Sequence, residues 1–328
     1  MKALLIGGTG TLGAALVERL LPQNQVTVFS RGELAQKQLK ARFPDVKCVI
    51  GDVRDKEAVA QAMVGQDVVF LLAAIKHIDL AEQNPLEAIK TNVQGAVNVG
   101  QAALSSGVKH VVYSNTDKAV LPISTYGYTK ALAQNYLLSL NGSSKTKFSA
   151  YNWGNVLGSR GSILPGFVER ILKREVVPIT DSRMTRFWLT IDQAADFMLA
   201  NYVEAPTDRA LIPPVKGAQV VRIVESIARI LRVPKVQMVF TGLRGVEKYH
   251  EVLESTHEGC LRSDTCDQYT DTELDQLLEQ TVKGLARGFE KTSDSWGEWG
   301  NGAEISGGVQ SPRNRPAKDR PRREVAAG

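Results

Sequence analysis

The chain of 328 residues has few cysteines and no long hydrophobic run. Its three cysteines, Cys48, Cys260 and Cys266, are an odd number and lack a zinc-ligand spacing, so we expect thiols of a reducing compartment, without disulfides or metal. Only four apolar residues separate Lys2 from Gly7, too few for a signal-peptide core. No run approaches the roughly 20 apolar residues of a membrane span. The sequence therefore predicts a cytoplasmic protein with no membrane partner.

Excess charge is also missing from most of the chain. The formal net charge is +5, but residues 311–328 contain six basic and two acidic residues, which leaves +1 for residues 1–310. We therefore expect no nucleic-acid partner, apart from a weak possibility for these last residues. From about residue 291 the sequence is rich in Gly, Ser, Pro, Arg and Asn, which predicts a disordered basic tail over 291–328.

In the first half, short apolar runs alternate with helical spacing. This alternation predicts an α/β fold, a doubly wound parallel sheet of about six strands with its ligand at the carboxyl ends of the strands. The predicted strands are 3–6, 25–29, 47–50, 68–72, 110–113 and 148–151, and the predicted helices are 12–21, 33–43, 56–63, 86–104 and 125–140.

The rhythm changes after Asn155, which predicts two parts of unequal size. Residues 1–155 are expected to form an NADP-binding Rossmann domain, to which 185–203 return through a helix at 191–202. Residues 156–184 and 204–290 are expected to form a smaller C-terminal substrate-binding lobe. A strand at 184–190 is expected to open the returning segment, and the helices of the lobe are expected at 163–173, 220–231 and 270–287.

The segment GGTGTLG follows the first predicted strand and opens a helix. Its glycines permit a tight turn, close approach of the backbone to a pyrophosphate, and close packing of helix on strand. The helix N-terminus supplies amide donors for the phosphates. A purely structural turn is the alternative. We expect the dinucleotide to contact Gly7, Thr9, Gly10, Thr11, Leu12 and Gly13.

The end of the second strand distinguishes between cofactors. NAD needs a carboxylate there, whereas an arginine accommodates the 2′-phosphate of NADP. Ser30 and Arg31 favour NADP, and NAD remains possible. Asp52, unless it is a surface turn residue, lies near the adenine with Val53. The other predicted cofactor residues are Ala73, Ala74, Lys76, Asn92, Tyr126, Lys130 and Asn155; Asn92 is also expected to bond backbone and steady the active-site helix.

Residues 114–130, SNTDKAVLPISTYGYTK, contain a candidate acid (Asp117), a candidate base (Lys118) and a phenol (Tyr126) within one short span. Tyr126 and Lys130 are four apart and share a helix face, where the ammonium would lower the phenol's pKa from about 10. Such a phenol can accept the proton of an alcohol while its hydride leaves. Thr116 is placed to donate to the substrate oxygen. Asp117 and Lys118, unless they are a cap and a solvated side chain, exceed what alcohol oxidation needs and suit removal of water beside a ketone.

Further polar residues at the predicted ligand edge suit a diphosphate-linked substrate, because guanidinium forks match phosphate oxygens. Intraprotein ion pairs are the alternative for each arginine, and a structural role is the alternative for His77. The candidates are Lys76, His77, Lys118, Tyr126, Asn155, Val156, Ser159, Arg160, Thr180, Arg183, Met184, Arg186, Arg244 and Glu247.

Five segments carry the most specific pattern: AAIKHIDLAEQNPLEAIKTNVQGAVNV, NTDKAVLPISTYGYTK, NVLGSRGSILPGF, PITDSRMTRFWLTID and EKYHEVL. Together they resemble the extended short-chain dehydrogenase/reductase superfamily, and within it the inverting UDP-N-acetylglucosamine 4,6-dehydratases that begin pseudaminic acid synthesis. The resemblance covers about residues 2–255. It implies a homo-oligomer acting on a UDP-N-acetylhexosamine. Tyr126 stands where many membrane-bound relatives carry methionine.

The resemblance implies a role for each residue of the span. Tyr126, assisted by Lys130 and Thr116, would take the proton of the sugar's 4-hydroxyl while the C4 hydride passes to NADP. Lys118, if neutral, would remove the C5 proton, and Asp117 would protonate the departing 6-hydroxyl directly or through water. Hydride returns to C6, and reprotonation from the other face inverts C5. The cofactor would be tightly bound and regenerated in each turnover.

Two other functions fit parts of the pattern. A UDP-hexosamine 4-epimerase uses the same Tyr, Lys and cofactor but has no use for the Asp117-Lys118 pair. A non-catalytic NADP-binding regulatory or scaffold protein typically loses the Tyr-Lys pair, which this chain keeps. Asn152-Trp153 replaces the Arg-Tyr pair of the family, and residues 244–248 read RGVEK where the family has RPGEK, so we expect an altered sugar pocket.

Overall fold

A seven-stranded parallel sheet forms the central layer of the protein. The computed structural model describes residues 1–243 and 245–297, and the side chains of those up to 289. In this part of the chain the strands are β1 (Lys2–Ile6), β2 (Gln25–Ser30), β3 (Lys47–Ile50), β4 (Val68–Leu71), β5 (His110–Ser114), β6 (Lys147–Tyr151), β7 (Asn155–Leu157), β8 (Val177–Ile179), β9 (Thr185–Thr190), β10 (Ala210–Leu211), β11 (Lys216–Gln219), β12 (Met238–Phe240), β13 (Val252–Thr256) and β14 (Gly259–Arg262).

The order of the central sheet is β10-β6-β5-β4-β1-β2-β3. It reverses between β1 and β4, and the crevice at their carboxyl ends is where a doubly wound sheet binds its ligand. The doubly wound α/β fold is therefore confirmed, and the six predicted strands are all present. The two-residue strand β10 extends the edge beside β6 and is too short to leave a pattern in the sequence.

Helices cover both faces of the sheet. They are α1 (Thr11–Leu20), α2 (Glu33–Arg42), α3 (Lys56–Met63), α4 (Ile78–Gln83), α5 (Pro85–Ala88), α6 (Gly95–Ser106), α7 (Thr125–Ser139), α8 (Ile163–Leu172), α9 (Ile191–Asn201), α10 (Val220–Ile230) and α11 (Asp271–Gly297). Apolar residues of α1, α2 and α9 bury one face of the strands, and those of α3, α6 and α7 bury the other. Burial on both faces explains the continuous apolar runs of the strands.

The segment predicted as one helix over 86–104 is divided. Helix α5 is followed by a π-helical segment, Ile89–Gln94, and then by α6. The buried amide of Asn92 in this segment accepts a hydrogen bond from Ile75 N–H at 2.8 Å and donates to Ile75 O at 3.0 Å and Thr129 Oγ1 at 3.0 Å. We attribute the wider turn to these tertiary bonds, because π segments arise where a local constraint competes with the α-helical ladder.

A smaller lobe lies over the carboxyl edge of the sheet. It contains the sheet β11-β9-β7, the pair β12-β8 and the hairpin β13-β14, and α8, α10 and α11 contribute to its core. Strand β9, predicted within the segment that returns to the main domain, pairs with β7 and β11 instead. Helix α9 does pack on the central sheet, where Arg19 of α1 bonds Asp192 at 2.7 Å.

The last described helix, α11, ends at Gly297, beyond the predicted end at 287. Residues 291–297, predicted as part of the tail, are therefore helical, while 298–328 lie outside the described residues. Residues Met1–Phe289 form one compact unit. None of the described helices is long and apolar enough to span a bilayer. The three cysteines, all within the described ranges, are free thiols.

Candidate active site

A cavity of about 1530 Å³ lies between the carboxyl edge of the sheet and the lobe. Most of the predicted ligand residues line it, so the fold brings together side chains from widely separated segments. The predicted residues that line the cavity are Gly7, Thr9, Gly10, Thr11, Leu12, Gly13, Ser30, Arg31, Val53, Ala73, Ala74, Lys76, His77, Thr116, Lys118, Tyr126, Lys130, Asn155, Val156, Ser159, Arg160, Thr180, Met184, Arg186 and Glu247. Arg244 lies outside the described residues.

The glycine-rich loop has the geometry that a dinucleotide requires. Gly7 has a φ of +85°, and a Cβ there would lie 2.6 Å from Ala73 N. A Cβ on Gly13 would lie 2.3 Å from Gly8 O, so α1 begins in direct contact with the loop. The amides at the start of α1 face a cavity that extends along the ends of β1 and β2. These residues fit the pyrophosphate of a nicotinamide dinucleotide.

The adenosine end differs from the prediction at Asp52. This residue does not line the cavity, because its Oδ2 accepts from Arg54 Nε at 2.9 Å and from Arg54 Nη2 at 2.6 Å. Burial would raise the pKa of the Asp52 carboxyl, but the hydrogen bonds from Arg54 outweigh burial and lower it. Arg31 Nη1 lies 3.7 Å from Asp52 Oδ2, while Ser30 and Arg31 both face the cavity.

A short 3₁₀ turn after β5, Asp117–Ala119, carries the predicted acid and base. Thr116 opens it, and the Thr116 hydroxyl donates to Asp117 Oδ1 at 2.9 Å. Lys118 Nζ lies 3.0 Å from the same Oδ1. The Asp117 carboxyl is fully buried and does not line the cavity, and its Oδ2 has no hydrogen-bond partner among the described residues. Thr116 and Lys118 therefore separate this acid from the cavity.

Helix α7 begins against this turn. The Ser124 side chain caps it by accepting from Gly127 N–H at 3.1 Å, and Glu82 accepts from Thr125 N–H at 2.6 Å. A Cβ on Gly127 would lie 2.3 Å from Lys118 O. Glycine at this position therefore lets the first turn of α7 approach the 3₁₀ turn, which places Tyr126 beside Thr116 and Lys118.

The prediction that Lys130 lowers the pKa of Tyr126 is wrong. Burial raises the pKa of Tyr126 to about 12, and the charge of Lys118 and a hydrogen bond with Thr116 only partly oppose this. Lys130 Nζ donates to Ser114 O at 2.7 Å and lies 4.1 Å from the centroid of the Tyr113 ring. Burial lowers the pKa of Lys130 to about 7, so much of its charge is lost near neutral pH.

The expectation of a neutral Lys118 also differs from the structure. Burial alone would lower its pKa, but the carboxylates of Asp117 and Glu251 outweigh burial and raise it. Glu251 Oε1 lies 3.4 Å from Lys118 Nζ. Burial, with Glu251 nearby, raises the pKa of Asp117. Lys118 is therefore an ammonium between two carboxyl groups, and a proton must leave it before it can act as a base.

Loop 158–162 joins the lobe to the cofactor half of the cavity. Arg160 donates from its backbone N–H to Thr11 Oγ1 at 3.1 Å and from its guanidinium to Thr9 O. Gly161, with a φ of +72°, packs on His77, whose ring would lie 2.2 Å from a Cβ added there. The predicted substrate residue Arg160 thus contacts the glycine-rich loop directly.

Three other predicted residues have mainly internal partners. Arg183 pairs with Asp181 at 2.9 Å, is largely exposed and does not line the cavity. Arg186 lines the cavity but donates to Thr185 O, Tyr249 O and Lys248 O, at 2.7, 3.1 and 3.0 Å. Asn92 lies behind the wall and joins the loop at Ile75 to α7, as expected for a residue that steadies the helix, and does not line the cavity as a cofactor ligand would.

Sequence analysis missed Glu251 and Lys248. Both line the cavity, and Lys248 Nζ donates to Val120 O at 2.6 Å, next to the 3₁₀ turn. The only indication in the sequence was that both residues lie within EKYHEVL, one of the segments that carry the family resemblance. Within the described ranges, no group of His, Cys, Asp and Glu side chains could hold a metal ion.

The comparisons with known proteins agree with this geometry. Residues 3–272 match the family described as "Polysaccharide biosynthesis protein". A relative from Campylobacter jejuni named UDP-N-acetylglucosamine 4,6-dehydratase (inverting) is 34% identical over 323 residues, which cover 92% of this chain and 95% of the relative. A Rickettsia massiliae relative named UDP-glucose 4-epimerase is also 34% identical, over 82% of each chain.

Among solved structures, Pen from Bacillus thuringiensis is 31% identical and superposes with a TM-score of 0.80, over 85% of this chain and 97% of that one. A dTDP-glucose 4,6-dehydratase from Streptomyces venezuelae shares the fold: it is 19% identical with a TM-score of 0.72, over 89% of this chain and 98% of that one. The chain therefore belongs to the polysaccharide biosynthesis protein family, within the extended short-chain dehydrogenase/reductase superfamily that its motifs predicted.

Proposed function

We propose that this protein is an NAD(P)-dependent nucleotide-sugar 4,6-dehydratase that converts UDP-N-acetylglucosamine to a UDP-2-acetamido-2,6-dideoxy-4-hexulose with inversion at C5. One observation carries the proposal. The buried Asp117 is paired with Lys118, which lies beside Tyr126 at the wall of a cavity that a dinucleotide-binding loop also lines. Oxidation of an alcohol needs only the phenol, whereas loss of water also needs a base and an acid. The Campylobacter jejuni relative supports the same activity.

The residues of the cavity divide the work between oxidation and elimination. Burial raises the pKa of Tyr126, so the phenol must first give up its own proton to the cavity. It then takes the proton of the 4-hydroxyl, and Thr116, which hydrogen-bonds the phenol, orients it. The glycine-rich loop of residues 7–13 would hold NAD(P), which would supply the hydride acceptor for C4 and the hydride donor for C6. The resulting 4-ketone acidifies the C5 proton, which Lys118 removes after giving up its own proton. Because Asp117 does not line the cavity, its proton leaves through Thr116 Oγ1 or Lys118 Nζ, the two groups that contact it.

The cofactor residues favour NADP over NAD. Ser30 and Arg31 line the cavity at the end of β2, where NADP carries its 2′-phosphate. The carboxylate of Asp52, near the end of β2, is held by Arg54 and Arg31. A carboxylate held in this way is poorly placed to accept from a ribose diol.

The test is incubation with UDP-N-acetylglucosamine in deuterated water, without added cofactor, followed by NMR and mass spectrometry. We expect a product that has lost one water and carries a 6-methyl group and deuterium at C5. The couplings of H5 then report inversion. A galacto-configured product of unchanged mass would identify an epimerase instead. Absence of any product, even with added NADP, would contradict the proposed substrate.

A further inference from the structure

Glu251 approaches the catalytic turn from the lobe. It is 3% exposed and immediately precedes β13, far along the chain from Lys118. Its Oε1 lies 3.4 Å from Lys118 Nζ, on an ammonium that also contacts Asp117 at 3.0 Å. One ammonium at the cavity wall thus faces two buried carboxyl groups, one from its own turn and one from a distant segment of the chain.

The backbone around Glu251 is held in place on several sides. Its N–H donates to Ser263 Oγ at 2.9 Å, and its carbonyl accepts from Ser263 N–H at 3.0 Å. Arg186 binds the carbonyls of Lys248 and Tyr249, and Lys248 Nζ reaches Val120 O. The carboxylate therefore has a defined position relative to the catalytic turn, which is what a positioning group requires.

The two carboxyl groups differ in their tendency to hold a proton. Burial and the nearby Glu251 raise the pKa of Asp117. Burial would also raise the pKa of Glu251, but the charges of Lys118, Arg186 and Lys248 lower it. Paired titratable groups whose environments separate their pKa values mark different acid–base roles. Asp117 is the carboxyl that can carry a proton, and Glu251 is the one that stays ionised.

We infer that Glu251 is a positioning residue for the elimination step, a fixed carboxylate that holds Lys118 Nζ against Asp117 and sets the pH range in which the pair works. The inference rests on the proposed dehydratase function. In the activating step the N–H bond of Lys118 breaks and an O–H bond forms at Asp117 Oδ1, across the 3.0 Å contact. This transfer leaves an amine that can take the C5 proton and an acid that can supply the proton of the leaving water, while Glu251 remains an anion.

Removing the charge of Glu251 has a predictable direction. A nearby anion favours the protonated forms of both the lysine and the carboxyl, so its loss lowers both pKa values. The groups that face this cluster from every side are Lys118 and Asp117 of the turn, Tyr126 of α7, Arg186 of β9, and Lys248 of the same lobe segment. Burial already lowers the pKa of Lys248 and Glu251 raises it, so loss of Glu251 moves this pKa in the same direction. Both limbs of the pH–rate profile should therefore move toward lower pH.

The test is Glu251→Gln, measured in two half-reactions on the protein with its resident cofactor. C4 oxidation is read as transient reduction of the nicotinamide, and elimination as deuterium uptake at C5 and loss of water. We expect oxidation and the KM for the sugar to be unchanged. C5 exchange at neutral pH should fall about tenfold or more, because the lysine is no longer held in place. The pH optimum of elimination should move down by about one unit.

The matched control is Glu254→Gln, on the adjacent strand, since Glu254 is half-buried and forms no ion pair with Lys118 in the described chain. Glu251→Asp keeps the charge and should keep the pH optimum near that of the wild type. The inference is overturned if the pH–rate profile of Glu251→Gln matches that of the wild type. It is also overturned if oxidation and elimination fall by the same factor and Tm falls with them, because that result indicates general destabilisation. A pH optimum for Glu251→Asp that moves as far as that of Glu251→Gln also overturns it. A wild-type protein that converts the sugar without losing water overturns the proposed function and this inference together.

Discussion

Two lysines in the same cavity have opposite surroundings. Lys130, on α7, is 3% exposed, and no carboxylate of the described chain lies within ion-pair distance of it, so burial lowers its pKa to about 7. Lys118, on the 3₁₀ turn, lies between Asp117 and Glu251, and its pKa is raised. Burial acts on both, and the presence or absence of a counter-charge decides the sign of the shift. Two lysines that line the same cavity can therefore have pKa values shifted in opposite directions.

The largest effect on activity is expected at Tyr126, on helix α7. Tyr126→Phe should reduce C4 oxidation about 10³-fold, because it removes the group that accepts the hydroxyl proton. Transient reduction of the nicotinamide measures this step. Tyr128→Phe is the control, since Tyr128 lies on the same helix but is 58% exposed. Substantial oxidation by Tyr126→Phe would show that another group is the base.

The next largest effect is expected at the turn. Lys118→Met should lower C5 deuterium exchange about 100-fold while C4 oxidation continues, because only elimination needs this amine. The same change leaves the buried Asp117 without its cation and removes one of the cations near Glu251, so it should destabilise the fold by about 2–3 kcal/mol. Exchange in deuterated water and urea unfolding measure the two effects. Exchange at the wild-type rate would remove Lys118 as the base.

The same substitution at the other lysine should have the opposite effect on stability. Lys130→Met replaces a buried amine that lacks a carboxylate, and we expect about 1 kcal/mol of stabilisation at neutral pH. The pKa of Lys130 is about 7 in the folded protein and 10.5 as its usual value. The unfolded chain thus binds more protons between these pH values, and wild-type stability rises with pH across that window.

The advantage of Lys130→Met should therefore be largest at or below pH 7 and should diminish toward pH 10. Urea unfolding at several pH values measures it, with Lys118→Met as the matched variant of opposite sign. If both variants were destabilised equally at every pH, the contrast between the two lysines would be wrong.

The smallest expected effect lies outside both regions, at the end of β2. Arg31→Ala should weaken binding of NADP about tenfold and leave binding of NAD nearly unchanged, because a charged hydrogen bond is worth about 1.5 kcal/mol or more. Titration of both cofactors onto the stripped protein measures the ratio. Arg42→Ala, which removes a surface arginine paired with Glu18, is the control. An equal loss for both cofactors would contradict the assignment of NADP.

Much of the architecture was predictable because it depends on local patterns. The six main strands are continuous apolar runs, and helices such as α3 and α10 are segments with a period of 3.6 residues. The lobe was less predictable, because β8, β12 and the hairpin β13-β14 are short and partly exposed. The π-helical segment was also missed, because it depends on bonds between Asn92 and residues distant in the chain.

The candidate site divides along the same line. Three short motifs could be predicted from the local sequence: the glycine-rich loop, the Thr116-Asp117-Lys118 turn and the Tyr126-Lys130 spacing. Protonation depends on burial and on charges brought from elsewhere, which no local pattern encodes. The amino-acid order thus establishes which groups are available for oxidation and elimination. Only the folded chain, by placing Glu251 on Lys118 and leaving Lys130 without a carboxylate, decides which of those groups carries a charge.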